Sequence, residues 1–149
     1  MNIEEELKTN NFKNEHHKAV LNILFTASSL RANINQRLKV HKLSQEQYNV
    51  LRILRGQYPK ALCLKEITNR MIERNSNTTR IIEKLDAKNF VVRTVSQIDK
   101  RELEISINQL GLDTLAAIDV LMETENLDYI NLSVQEAKML NLLLDKTRS

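Results

Sequence analysis

The scarcity of glycine and proline is the feature that most restricts the fold of this chain. Its 149 residues include two Gly and one Pro. Sandwiches and barrels need many tight turns, which these two residue types favour, so the sequence argues against an all-β architecture. Hydrophobic residues make up 42% of the chain, which is enough for a core. We therefore expect one mainly α-helical domain over residues 1–149.

Composition also argues against a secreted or membrane-spanning protein. Cys63 is the single cysteine, so no internal disulfide framework can form. The sequence has no run of about 18 uncharged apolar residues. Its acidic start, Met1–Glu6, lacks the basic and apolar regions of a signal peptide. We expect a cytoplasmic protein without a membrane segment.

Charge is distributed unevenly along the chain. The net charge is +3 overall, yet it is +6 over residues 31–60 and +4 over residues 61–101. Residues 1–30 carry −1 and residues 102–149 carry −6. A basic centre between acidic flanks fits the binding of a polyanion such as nucleic acid, although a solvated charged face gives the same pattern.

A long helix is predicted from Glu15 to about Leu38, with apolar residues on more than one side. These residues are Val20, Leu24, Ala27, Ile34 and Leu38 in one set, and Leu21, Ile23, Phe25 and Leu30 in a second. A helix that is apolar on several sides is buried on several sides. This pattern indicates contact with a second chain as well as with the rest of the domain, so we expect a homodimer.

The next segments predict a helix-turn-helix. Ser44–Gln47 has the pattern of a capping box, and the helix that it starts ends before Pro59. A brief helix around Ile67 follows. A helix from about Asn75 to Lys88 comes next, with an inner stripe of Thr78, Ile81, Ile82 and Leu85. Two short helices joined by a tight connection are typical of a helix-turn-helix.

A two-stranded hairpin is predicted after these helices. Val91–Val95 and Leu103–Ile107 are rich in β-branched residues, and Ser96–Glu102 between them forms a polar, charged tip. Asn108 can cap a further helix, and Ser133–Glu136 has the capping-box pattern for a last one. The acidic end of the chain is therefore expected to be helical as well.

This order of elements is that of a winged helix, and several short motifs resemble the MarR family of transcription regulators. The motifs are Leu43–Leu51, Lys65–Thr68 with Thr79–Arg80, Leu85–Arg93, Asp99–Arg101 and Ile105–Gly111. The resemblance covers about residues 15–146. Asn89 stands where the family usually has Gly, but Asn is also suited to a left-handed helix cap. Thr68 replaces the usual small Ala, so the angle between the two helices of the helix-turn-helix is expected to differ slightly.

The resemblance implies a fold and a function. The fold is mainly α with a small β-hairpin wing: a winged helix-turn-helix region at about 44–107 lies between dimerisation helices at about 15–41 and 109–147. The function is that of a homodimeric, sequence-specific DNA-binding transcription regulator, with repression as the expected mode of action. The operator is expected to be a pseudo-palindrome. No cofactor is implied, and a small-molecule effector is expected between the dimerisation helices and the winged helix.

The expected DNA-contacting residues lie on the helix from about Asn75 and on the wing. The major groove admits one α-helix, whose outward polar side chains reach base edges and phosphates. The residues are Ser76, Asn77, Thr79, Arg80, Lys84, Arg93, Lys100 and Arg101. Arg101 at the hairpin tip is expected to reach the minor groove, where negative potential attracts a guanidinium group. Asp99 is expected to orient Arg101 through a charge-assisted hydrogen bond.

The sequence gives less support to an enzyme, a metal-binding protein, a redox sensor or a protein-binding module. The sequence contains no Walker loop, dinucleotide-binding glycine motif, zinc-protease motif or nucleophile elbow, so we do not expect an enzyme. His16 and His17 are adjacent and His41 is distant, so they do not predict a metal site. Two alternatives stay open: a thiol-based redox sensor acting through Cys63, and a winged-helix module that binds a protein and thereby controls another regulator.

Overall fold

The structure, a computed structural model, describes residues 1–124 and 131–148. The predicted helical interval 109–147 includes residues 125–130, which lie outside the described residues. The described elements are, in order, α1 (Ile3–Leu7), α2 (Glu15–Leu38), a 3₁₀ turn (Lys39–His41), α3 (Gln45–Gln57), β1 (Leu62–Cys63), α4 (Leu64–Arg70), α5 (Thr78–Ala87), β2 (Val91–Val95), β3 (Leu103–Ile107), α6 (Gln109–Thr124) and α7 (Val134–Lys146). The fold is mainly helical with a small sheet, as predicted.

Side-chain caps begin several of these helices. Ser44 Oγ accepts the Gln47 N–H at 3.1 Å, and Gln47 Oε1 accepts the Ser44 N–H at 3.2 Å, so the predicted capping box of α3 is confirmed. The predicted capping box of α7 is confirmed too, at Ser133 and Glu136. Helix α1 was not predicted, although Asn2 and Glu5 form the same reciprocal pair at its start. Each cap satisfies backbone N–H groups that the first turn of a helix leaves without partners.

The sheet is antiparallel with strand order β1-β3-β2. Val91 lies opposite Ile107 and Val95 opposite Leu103, so the predicted hairpin and its bounds are confirmed. Leu62 of β1 lies opposite Ile105. This third strand was not predicted because two residues are too few to show an alternating pattern.

The hydrophobic core of the winged-helix region lies where α3 contacts α2, α4, α5 and β3. Its fully buried side chains include Leu38, Val50, Leu51, Leu54, Leu62, Ile67, Leu85 and Ile105. Helix α2 contributes Leu38 as its buried residue, whereas Val20, Ile23 and Leu24 of the same helix are exposed. The side of α5 that carries Thr78, Ile82 and Leu85 is packed against this core, so its opposite side is left outward.

The chain divides into two compact units, Met1–Leu115 and the part from Ala116 onward. The first unit holds the helix-turn-helix and the sheet. In the second unit, none of the described residues of α7 is buried, and Val134, Met139, Leu142 and Leu143 are exposed. Among the described residues, no helix is both long enough and apolar enough to cross a membrane.

Candidate nucleic-acid interface

The helix-turn-helix is formed by α4 and α5, which are joined by partly buried polar contacts. The Thr68 hydroxyl lies 2.9 Å from the Thr78 hydroxyl and 2.9 Å from the Leu64 carbonyl oxygen. The Thr78 hydroxyl is also 3.5 Å from Met71 Sδ, and both Thr78 and Met71 are buried. Thr68, one of the residues that depart from the pattern of the MarR family, therefore bonds directly to the start of the second helix.

The turn between α4 and α5 is also held from outside. The Ile72 N–H donates to Asn49 Oδ1 of α3 at 2.9 Å. Arg31 of α2 pairs with Glu73 at 3.1 Å, and both side chains are about half exposed. These contacts connect the turn to α2 and α3 and so help to position the second helix of the motif.

Helix α5 begins later than the sequence predicted. It starts at Thr78, not near Asn75, because Asn77 is its N-cap and accepts the Arg80 N–H through Oδ1 at 3.1 Å. Ser76 and Asn77 therefore lie in the turn that precedes the helix, Ser76 half-buried and Asn77 exposed. Both residues were predicted to contact DNA, and both lie at the N-terminal end of α5 rather than on its outer face.

Three of the predicted residues share the outer face of α5. Thr79, Arg80 and Lys84 are exposed, and Arg80 and Lys84 are one turn apart. Glu83 is exposed on this side too, so the face is mixed rather than uniformly basic. Such a face offers hydrogen-bond donors and acceptors together with two cations, which is the chemistry that base edges and phosphates require.

Arg93 of β2 is turned toward α5. Its Nη2 lies 2.6 Å from Asp86 Oδ2, with 36% of each side chain exposed. The ion pair links the wing to the last turn of α5, so the charge of Arg93 is already balanced within the protein. Arg93 stays a predicted DNA contact, but the geometry favours a positioning role.

The tip of the wing is ordered by its own hydrogen bonds. Ser96 is buried, and its hydroxyl donates to Glu104 Oε1 at 3.1 Å. Ser96 Oγ also accepts the N–H groups of Ile98 and Asp99, at 3.2 Å and 3.4 Å. The Ser96 N–H donates to the Glu102 carbonyl at 2.9 Å. A segment predicted as a polar tip therefore contains a buried serine that organises it.

Asp99 and Arg101 lie close together, but the hydrogen bond expected between their side chains is not formed. Asp99 Oδ1 accepts the Arg101 N–H at 3.0 Å and lies 3.6 Å from Arg101 Nε. The Arg101 side chain is 93% exposed, and Lys100 beside it is exposed as well. Two cations therefore extend from the wing, with the carboxylate of Asp99 close to one of them.

Sequence reasoning treated the tip as polar and missed Ile98. This side chain is 96% exposed, the highest value among the large hydrophobic residues described. The signal in the sequence was a single aliphatic residue among polar neighbours, between Gln97 and Asp99. Ile98 lies in the same tip as Lys100 and Arg101.

Cys63 lies half-buried at the start of α4. Its N–H donates to Glu66 Oε2 at 2.9 Å, which forms part of the cap of that helix. This backbone hydrogen bond is the main reason why the pKa of Glu66 is held below its usual value. The described surroundings of Cys63 thus give its backbone a structural role.

The sequence of the interface region matches that of known regulators. Residues 43–103, which span the helix-turn-helix and most of the wing, match the model of the MarR family. The chain is also 32% identical over 76 residues to the HTH-type transcriptional regulator SarZ of Staphylococcus epidermidis. That match covers 51% of this chain and 50% of SarZ, so the chain spans about half the length of this relative.

Solved structures of other proteins have a similar fold over most of this chain. A MarR transcription factor from Planctomyces limnophilus is 25% identical with a TM-score of 0.68, over 91% of this chain and 98% of that one. A mutant MarR from Escherichia coli complexed with operator DNA has a TM-score of 0.79 at 20% identity, over 93% and 99% of the two chains. At that identity the second likeness shows the fold. Taken with the helix-turn-helix and the wing, these matches show a winged helix-turn-helix fold that is similar to that of MarR-type proteins.

Proposed function

We propose that this protein is a sequence-specific, double-stranded DNA-binding transcription regulator that acts as a homodimer in the cytoplasm and has no enzymatic activity. The observation that carries the proposal is the shared exposure of Arg80 and Lys84 on the outer face of α5, beside a wing that extends Lys100 and Arg101. A helix of this kind fits the major groove while a basic hairpin reaches the flanking minor groove. The regulators to which the chain is similar support the same conclusion.

Exposed apolar side chains support the homodimer. Val20 and Leu24 of α2 are 54% and 61% exposed, and Met139 and Leu142 of α7 are 57% and 66% exposed. Obligate homodimers bury large apolar surfaces of this kind. Two α5 helices related by a two-fold axis would meet successive major grooves about 34–36 Å apart, so the operator is expected to be a pseudo-palindrome.

The mode of regulation is proposed from the family alone. Repression relieved by a small-molecule effector is the expectation, with the effector between the dimerisation helices and the winged helix. Reporter expression from the recovered operator, with and without the protein, tests the direction of regulation. Increased expression in the presence of the protein would replace repression by activation.

Selection of binding sites from random DNA duplexes tests the proposal directly. We expect an enriched pseudo-palindromic motif, and analytical ultracentrifugation at micromolar concentration should show a dimer. Recovery of no enriched motif would instead favour the protein-binding module. A monomer in the ultracentrifuge would contradict the two-fold operator.

The salt dependence of binding tests the role of the basic surface. If a dimer makes about 6–10 phosphate contacts, affinity should fall about a thousand-fold or more between about 50 and 200 mM salt. Lys84→Ala should weaken binding to all sequences alike. It should also reduce the salt slope, the slope of log affinity against log salt concentration, by about one for each phosphate that Lys84 neutralises. Arg148→Ala is a matched control, because Arg148 is an exposed cation near the chain end that pairs with Asp145. A flat salt response of the unmodified protein would contradict the proposed interface.

A further inference from the structure

The far half of the wing carries aliphatic side chains that the described residues leave about half exposed. Val91, Ile105 and Ile107 lie on one face of the hairpin and are buried. Val95 and Leu103 are opposite each other farther along the same face, yet they are 54% and 45% exposed. Alternation along the strands places all five on that face, with Arg93 between Val91 and Val95. Beyond Arg93, whose side chain pairs with Asp86, the face is apolar again at Val95 and Leu103.

Ile98 lies beyond this pair, at the end of the hairpin. Its N–H donates to the buried Ser96 hydroxyl at 3.2 Å, and the Glu102 N–H donates to the Asp99 carbonyl at 2.9 Å. These bonds connect the two sides of the turn, while 96% of the Ile98 side chain is exposed. The turn thus presents an isoleucine outward on an organised support.

The charges around Ile98 indicate what would cover it. Lys100 and Arg101, two and three residues along the chain, are both exposed cations. An apolar side chain flanked by cations suits the DNA minor groove, where phosphates line both edges and the deoxyribose rings of the walls offer apolar surface. The same combination is poorly suited to an uncharged protein core, because burying Lys100 and Arg101 there would remove them from water without anionic partners.

We propose that Ile98 enters the minor groove beside Arg101 and packs against the sugars and base edges of the flanking DNA. This inference rests on the proposed function, because it assigns a further contact to the same DNA interface. Val95 and Leu103, behind the tip, extend the apolar surface toward the sugar-phosphate backbone at the edge of the groove. Contact with the sugars depends on the width of the minor groove, which varies with sequence, so Ile98 contributes to the choice of flanking sequence.

Binding titrations of Ile98→Ala on the duplex recovered by selection test the proposal. We expect affinity to fall about 3–10-fold per half-site, because aliphatic surface no longer packs against the DNA. The salt slope should stay that of the unmodified protein, since an apolar contact releases no counterions. Ile98→Leu should restore most of the affinity, because it keeps the aliphatic volume.

A minor-groove ligand gives an independent readout. Netropsin occupies the minor groove of A·T-rich DNA, so with netropsin bound to the flanks the unmodified protein and Ile98→Ala should bind with equal affinity. If Ile98 acted on the major groove or on the fold, the difference between the two proteins would persist. Thermal melts of both proteins should coincide, because an exposed side chain contributes little to stability.

The outcomes separate this inference from the proposed function. If the unmodified protein fails to bind any selected duplex, the proposed function fails. If the unmodified protein binds and Ile98→Ala binds equally well, the minor-groove contact is refuted while the proposed function stands. A loss of affinity that comes with a changed salt slope also counts against the contact, because it would show that phosphate contacts had moved.

Discussion

The hydroxyl groups of Thr68 and Thr78 lie 2.9 Å apart and join the two helices of the helix-turn-helix. Thr68 is on α4 and Thr78 is the first residue of α5, so this contact spans the turn between them. It fixes the end of α5 that carries Thr79 and Arg80. The position of the proposed recognition helix therefore depends on a side-chain pair ten residues apart in sequence.

Thr68→Val tests this contact. Valine keeps the branched shape but removes the hydroxyl, so we expect the free energy of unfolding to fall by about 1 kcal/mol. Urea denaturation measures the change. Thr68→Ser, which retains the hydroxyl, should keep more of this hydrogen bond. Equal stability of Thr68→Val and the unmodified protein would show that the pair does not stabilise the motif.

The long α2 helix and the β2–β3 hairpin were predictable because apolar periodicity and β-branched runs determine them locally. The αL conformation of Asn89, with φ of 59°, was predictable as well, because Asn tolerates that region better than other side chains. The Arg93–Asp86 and Thr68–Thr78 contacts were not predictable. Both depend on how α5 packs against its neighbours, which no local pattern encodes.

Gly111→Ala should destabilise the protein. A Cβ atom at Gly111 would lie 2.6 Å from both Ile107 Cγ1 and the Phe90 carbonyl oxygen. Because the backbone oxygen cannot move away freely, we expect a loss of about 1–3 kcal/mol in the free energy of unfolding. Chemical denaturation measures it.

Gly56→Ala is the matched control for this change. Gly56 lies within α3, and a Cβ atom there would have nothing within 4 Å. Alanine should stabilise that helix by about 0.5–1 kcal/mol. Similar changes in the free energy of unfolding for the two substitutions would show that the close approach at Gly111 does not cause the loss of stability.

The cap of α4 should make stability depend on pH in the acidic range. The Cys63 N–H lowers the pKa of Glu66 from its usual 4.5. A carboxyl group whose pKa is lower in the folded state stabilises that state above the unfolded pKa. This contribution is present above about pH 4.5 and is lost as pH falls through the lower folded value.

Glu66→Gln should therefore be less stable than the unmodified protein at neutral pH and should lose less stability below pH 4.5. Denaturation curves across the acidic range measure the difference. Glu83→Gln, which changes an exposed carboxylate inside α5, serves as the control. An identical pH profile for Glu66→Gln and the unmodified protein would contradict the role of the Cys63 hydrogen bond.

The Arg93–Asp86 ion pair is expected to position the wing. Arg93→Ala and Asp86→Ala should weaken DNA binding to a similar degree, and the double substitution should add little further weakening, because both changes break the same ion pair. The cost in folding stability should be small, about 0.2–1 kcal/mol, since the pair is partly exposed. Stronger binding by Asp86→Ala would indicate instead that Arg93, once released, contacts phosphate directly.

Arg101→Ala should affect DNA binding and leave folding nearly unchanged. The side chain is 93% exposed, and its described partner is Asp99, so its truncation removes little packing. If Arg101 occupies the minor groove, truncation should cost about 1–3 kcal/mol per half-site, with a larger cost on A·T-rich flanks, where the groove is narrow. Asp99→Ala should have a smaller effect in the same direction, because Asp99 acts by orienting Arg101. Titrations at fixed salt, beside thermal melts of each variant, measure both quantities. Unchanged affinity with an unchanged melt would refute the minor-groove contact, whereas weaker binding with a large fall in melting temperature would show that Arg101 supports the fold.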